Sequence, residues 1–200
     1  MSPGHTAIDS TLLADTPDGF NTTVRETLAV SPDGKRVFFR QDTSQGFTGL
    51  FVVELATPEV VTPVYDAQTL DIHADNLRLS PDGNHLVFGA GGDGGEGGFQ
   101  NPGTSGSGIR SISAELYSID LTQTLPATPV RIAAADSKSD GIESDYIPLD
   151  DGRVILRGDL DTVGATEVFI GSPDAPDTVT KISPPLGLVN ATRVAAMNRL

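Results

Sequence analysis

LAVSPDGKRVFF, residues 28–39, and LRLSPDGNHLVF, residues 77–88, are two renderings of one pattern. Each sets the turn Ser-Pro-Asp-Gly between two apolar runs. Pro at the second position presets φ, Asp offers its carboxylate to nearby backbone N–H groups, and Gly takes the positive φ that closes the turn. Ser31, Pro32, Asp33 and Gly34, and likewise Ser80, Pro81, Asp82 and Gly83, are therefore read as structural turn residues. Before the turn apolar residues alternate (Leu28, Val30; Leu77, Leu79), and after it they run together (Val37-Phe38-Phe39; Leu86-Val87-Phe88). Alternation marks a strand with one buried face, and a continuous run marks a strand covered on both.

The units continue alike. A third strand follows in GLFVVEL (49–55) and AELYSIDL (114–121), and a weaker fourth around Val60 to Tyr65 and Pro129 to Ala133. Four antiparallel strands per unit is the pattern of one propeller blade. A degenerate third copy reads IPLDDGRVIL (147–156), TEVFIG (166–171) and DTVTKIS (177–183). From Ser31 to Leu50 is 19 positions, as from Leu149 to Val168; from Ser80 to Leu116 is 36, so the middle copy carries 17 inserted residues. The expected fold is all-β: β-propeller blades of four antiparallel strands, about three blades plus the first strand of a fourth. The expected divisions are an N-terminal segment 1–23 able to contribute an outer strand, blades over 24–66, 67–135 and 136–183, and a truncated fourth over 184–200. A ring of four to eight blades is the usual closed form. Such a piece is either part of a longer chain or completes its circle with further copies. A β-sandwich with a chance repeat of the turn is the plainer alternative.

The motifs LAVSPDGKRVFF…GLFVVEL and LRLSPDGNHLVF…ELYSIDL resemble the WD-repeat-like blades of TolB-type β-propellers, over residues 24 to about 183. The resemblance implies a fold and assigns the Pro-Asp-Gly corners to the hairpin between the innermost and second strands. Proteins of this family include exported scaffolds that bind other proteins, which points to a periplasmic or extracellular place. They also include the propellers that gate prolyl-oligopeptidase-type serine peptidases, whose catalytic domain has no counterpart in these residues.

Composition narrows the function. The 200 residues carry a formal net charge of −14, which argues against nucleic acid or an anionic membrane surface as partner. Cysteine is absent, which removes disulfides and thiolate chemistry. No apolar run approaches the roughly 20 residues of a membrane span. The first residues lack the basic-then-apolar pattern of a signal peptide, so none is expected there.

Candidate sites are few. The insertion GAGGDGGEGGFQNPGTSGSG (89–108) is half glycine. Its opening matches the dinucleotide fingerprint in letters but offers no helix to a pyrophosphate, so no cofactor is expected. Phe99, Gln100 and Asn101 are its side chains suited to recognition, on a face where propellers bind ligands; a mobile excursion is the alternative. Asp136, Asp140, Glu143, Asp145, Asp150, Asp151, Asp159 and Asp161 form an acidic cluster, read as solvated turns. Asp159 to Gly164 starts like a calcium loop, but Val163 and Ile170 fall where oxygen ligands are required; calcium elsewhere in the cluster stays open. Arg157-Gly158-Asp159 spells a cell-adhesion tripeptide at the end of a strand. Asn21-Thr22-Thr23 and Asn190-Ala191-Thr192 fit the glycosylation sequon, which matters only in a secreting eukaryote. His5, His73 and His85 find no Ser elbow and no Cys to complete a catalytic constellation. The expectation is a non-enzymatic module, without metal, presenting loops to a protein, peptide or saccharide. The gate of a larger serine hydrolase, or a structural protein closing a ring by self-association, are the alternatives.

Overall fold

The computed structural model describes residues 24–42, 48–65, 74–90, 112–135, 141–162 and 164–184. Among these there are strands and turns and no helix, hence no helix long and apolar enough to cross a membrane. The first sheet runs β1 (Val24–Val30), β2 (Arg36–Asp42), β3 (Thr48–Glu54), β4 (Val61–Pro63) in that order. The second runs β5 (Ala74–Leu79), β6 (His85–Ala90), β8 (Glu115–Asp120), β9 (Val130–Ala134), with β7 (Ile112–Ser113) lying elsewhere. The third is built on β12 (Val154–Asp159), β13 (Glu167–Ser172) and β14 (Ala175–Lys181); β10 (Gly141–Glu143) and β11 (Ile147–Pro148) both pair with β12. Neighbouring strands are antiparallel throughout. The two Ser-Pro-Asp-Gly turns lie in different sheets, as a blade repeat requires.

The turns close as their chemistry dictates. Gly34, Gly83 and Gly152 sit at φ 71°, 74° and 79°, a region a Cβ disfavours. Each donates its N–H three residues back, to the carbonyl of Ser31, Ser80 or Leu149. Ser31 Oγ donates to Asp33 (2.6 Å) and accepts from Arg36 N–H (2.8 Å). Ser80 repeats this with Asp82 (2.5 Å) and His85 N–H (2.9 Å). In the third turn Leu149 has no hydroxyl, and Asp151 alone receives the N–H of Arg153 (3.1 Å).

Alternate residues of β6 explain the stacking. Leu86 and Phe88 join Phe38, Leu50 and Val52 of the first sheet in one core. Val87 points the other way, into a second core with Leu116, Ile132, Val154, Leu156 and Phe169. The middle sheet is thus sandwiched face to face between its siblings, which is why its central strand reads as an unbroken apolar run. Tyr65 and Tyr117 stack on either side of Phe88, at centroid distances of 6.0 and 5.7 Å.

Three details differ from the sequence reading. First, β6 continues through Gly89 and Ala90, which had been assigned to the insertion. Second, the far end of that insertion does not run straight into the third strand. Ile112 and Ser113 pair with Glu143 and Ile142, so β7 adds a strand to the inner edge of the next sheet. Third, the innermost strand of the third unit does not begin at Ile147 but is split into β10 and β11 around Tyr146, which turns away toward the second sheet. The expected fourth unit, the N-terminal segment and most of the insertion lie outside the described residues.

Candidate functional site

Superposing the turns aligns Leu28-Ala29-Val30 with Leu77-Arg78-Leu79 and with Tyr146-Ile147-Pro148. These are the innermost-strand residues of the three units, and together they line one open groove of about 510 Å³. Most of its lining side chains are apolar, but with Arg78, the turn Ser80 and the backbone nearly half of its exposed surface is polar. Leu28, Val30 and Ile147 remain 60 %, 56 % and 46 % exposed along it. Arg78 is exposed; its Nη2 donates to the Ser144 carbonyl (3.3 Å), and its guanidinium carbon lies 5.9 Å from the Tyr146 ring centre.

The floor is held by a hydrogen-bond relay. The innermost strands all lose register at the same place: between Val24 and Leu28, between Asp75 and Arg78, and between β10 and β11. In β5 the bulge puts Asn76 at φ 53°, a conformation Asn accepts more readily than most residues. The phenol of Tyr146, a residue only 1 % exposed, reaches into this gap. It accepts the N–H of Gly89 (3.0 Å) and donates to the carbonyl of Asn76. One side chain of the third unit thereby satisfies backbone groups that the bulge frees in the second.

The turn residues singled out from the sequence are where the repeat places them, beside the groove. Asp33 is held below the usual carboxylate range by the Ser31 hydroxyl and the N–H of Lys35. Asp82 is held there by Ser80 and the N–H of Asn84. Phe99, Gln100 and Asn101, and with them His5 and His73, lie outside the described residues. So do Asp136 and Asp140 of the acidic cluster and both sequons. The other acidic side chains are largely met by cations: Asp151 by Arg153 (2.7 Å), Asp161 by Lys181 (3.0 Å), and Glu143 and Asp145 by Arg157. Among the described residues no group of three or more His, Asp or Glu is placed to hold a metal ion. Arg157-Gly158-Asp159 lies in β12, with Asp159 only 4 % exposed and Arg157 engaged by Glu143, so the tripeptide is not displayed for adhesion. Sequence reasoning missed Tyr146 and Asn76; only the Asn after Asp75 offered a local sign of a backbone irregularity.

Three antiparallel sheets stacked face to face, two of four strands and the third enlarged to six by β7 and by its split innermost strand, define the fold as blades of a β-propeller in the described residues. No family model matches this sequence, and no curated protein matches it. Among solved structures the chain is similar to one assigned to TolB from Agrobacterium tumefaciens, at 15 % identity and a TM-score of 0.45. The match covers 82 % of this chain and 50 % of that one, so the chain spans about half the length of that solved protein.

Proposed function

We propose that this chain is a non-enzymatic blade module of the TolB-like kind that binds a protein or peptide along its groove. The TolB-like part of the reading rests on the repeated LAVSPDG and LRLSPDG motifs. The observation that carries the binding part is the groove itself. Three equivalent triplets, 28–30, 77–79 and 146–148, bring mostly apolar side chains to one lining, with a single guanidinium, Arg78, exposed in it. Apolar positions repeated at strand spacing suit the alternating side chains of an extended peptide, and Arg78 suits a carboxylate among them.

Selection from a phage-displayed random peptide library against the immobilised 200-residue chain, with a glycan array in parallel, tests the reading. Enriched peptides are expected to carry a carboxylate among apolar residues and to bind the Arg78→Glu variant about tenfold more weakly. Peptides that bind both chains equally, or glycans as the sole ligands, overturn it.

A further inference from the structure

Among the described residues β1, β5 and β11 each have a strand neighbour on one side only, so part of their backbone turns away from the sheet and toward the groove. The register fixes which groups do so. Ser80 N–H donates to the carbonyl of His85, and the ladder continues with Leu79 opposite Leu86 and Arg78 opposite Val87. Bonded and non-bonded residues alternate along an antiparallel pair, so Arg78 bonds to Val87 while Leu79 directs its backbone away from β6. The free edge of β5 is therefore the carbonyl of Leu77, then the N–H and the carbonyl of Leu79. It reads acceptor, donor, acceptor.

The other two innermost strands show what is particular to β5. In β1 the Ser31 N–H donates to the carbonyl of Arg36, with Val30 opposite Val37 and Ala29 opposite Phe38. Its edge has the same order, from the carbonyl of Leu28 to the N–H and carbonyl of Val30. In β11 the Leu149 N–H donates to the carbonyl of Arg153, and Pro148 stands opposite Val154. A proline thus occupies the place where Leu79 and Val30 have their donor, and the third edge lacks it. The two complete edges differ in charge. Between its acceptor and its donor β5 carries Arg78, exposed and beside the Tyr146 ring, whereas β1 carries Ala29.

We infer, resting on the reading of this groove as a peptide site, that its ligand is an extended segment of a partner protein that adds to the free edge of β5 as an antiparallel strand. The segment has the order apolar–acidic–apolar. Its first apolar residue exchanges two main-chain bonds with Leu79, and its second donates its N–H to the carbonyl of Leu77. The acidic residue between them falls opposite Arg78 in a non-hydrogen-bonded pair, where Cα atoms approach to about 4.5 Å and opposite charges attract across the strands. The two apolar side chains share the side on which Leu77 and Leu79 pack toward the first sheet, where Leu28, Ala29 and Val30 line the groove. Main-chain pairing supplies the hold, and Arg78 sets the register, because a slip by one residue brings an apolar side chain to the guanidinium.

Peptides enriched against the immobilised chain, resynthesised with one N-methyl group at a time, read the main-chain bonds directly. Methylation of either residue flanking the carboxylate is expected to weaken binding to the wild-type chain about tenfold. Methylation of the acidic residue itself, whose N–H points away from β5, is expected to leave binding unchanged. Leu79→Pro gives the second edge the chemistry of the third and should abolish binding. It should keep the wild-type circular dichroism spectrum, because the N–H it removes bonds nothing within the sheet. Peptides that Arg78→Glu weakens but that N-methylation leaves untouched, or weakens equally at all three positions, overturn strand addition and leave the groove site standing. So does a folded Leu79→Pro chain that binds as the wild type does. A selection that enriches no peptide overturns both.

Discussion

The hydroxyl of Tyr146 lies 3.0 Å from the backbone nitrogen of Gly89, 57 positions earlier in the chain, and fastens the third blade into a gap in the second. The same oxygen donates to the carbonyl of Asn76, so a single side-chain atom serves both sides of a strand bulge. Tyr146→Phe keeps the ring and its packing but leaves a buried N–H and a buried C=O without that oxygen. The expected cost is about 1–3 kcal/mol, read as a lowered urea midpoint with an unchanged slope. A midpoint equal to the wild type would show that the relay contributes nothing.

The turn serines are expected to govern acid stability. Ser80 is fully buried, and its hydroxyl links Asp82 to the N–H of His85. Ser80→Ala should cost about 1–2 kcal/mol at neutral pH. Asp82 titrates below its usual 3.8, first because Ser80 donates to it and then because Asn84 N–H does. A depressed pKa stabilises the fold above the unfolded value and loses that contribution as pH falls through the folded one. The gap in stability between wild type and Ser80→Ala is therefore expected to be widest at neutral pH and to narrow below about pH 4. Urea midpoints taken along that range check it; a gap that widens on acidification contradicts it.

Gly171 in β13 is a close-approach position. A Cβ there would overlap Cγ2 of Ile132 on the facing blade and press on Val179 at 3.3 Å. Gly171→Ala is expected to destabilise by about 1–3 kcal/mol through overpacking. Ile132→Ala removes the obstructing methyl, so the double variant should lose less than the two single losses added together. Strict additivity in thermal melts would separate the two sites.

Salt is expected to stabilise the isolated chain. Arg131 donates to both oxygens of Asp177 (2.6 and 3.1 Å) and to Glu115 (2.6 Å), but Asp177 is exposed and Arg131 and Glu115 are only half-buried. Screening such a pair loses less than about 1 kcal/mol. Relief of self-repulsion in a chain of net charge −14 outweighs that loss. Scanning calorimetry should show a melting temperature that rises from low to physiological sodium chloride; a flat or falling one refutes the prediction.

The blades were readable because their grammar is local. A Pro-Asp-Gly corner needs only four neighbours, and Gly34, Gly83 and Gly152 adopt the positive φ that the residue type announces. The buried run Leu86-Val87-Phe88 likewise carries its two-sided burial in its own composition. Tyr146 carries no such sign. In ESDYIPL it looks like the start of a strand, and its target, the bulge at Asn76, becomes visible only once two sheets are stacked. The pairing of Ile112 with Glu143 was equally hidden, since a two-residue strand after a glycine-rich stretch has almost no periodicity to detect. The groove followed the same division: its triplets were legible as strand residues, while their meeting along one surface was not.

The short strand β7 has a mechanical consequence. The backbone that leaves the second blade is laced onto the inner edge of the third before it returns, with Ala114 N–H bonded to Ala90 at one side and Glu143 paired with Ile112 at the other. That stitch joins the second and third units by strand pairing as well as by their shared core, whereas the first unit is tied to the second outside its strands, by Ala127 N–H to the carbonyl of Val64. Under force the first unit is therefore expected to detach before the other two, which single-molecule pulling checks by the order and size of the ruptures.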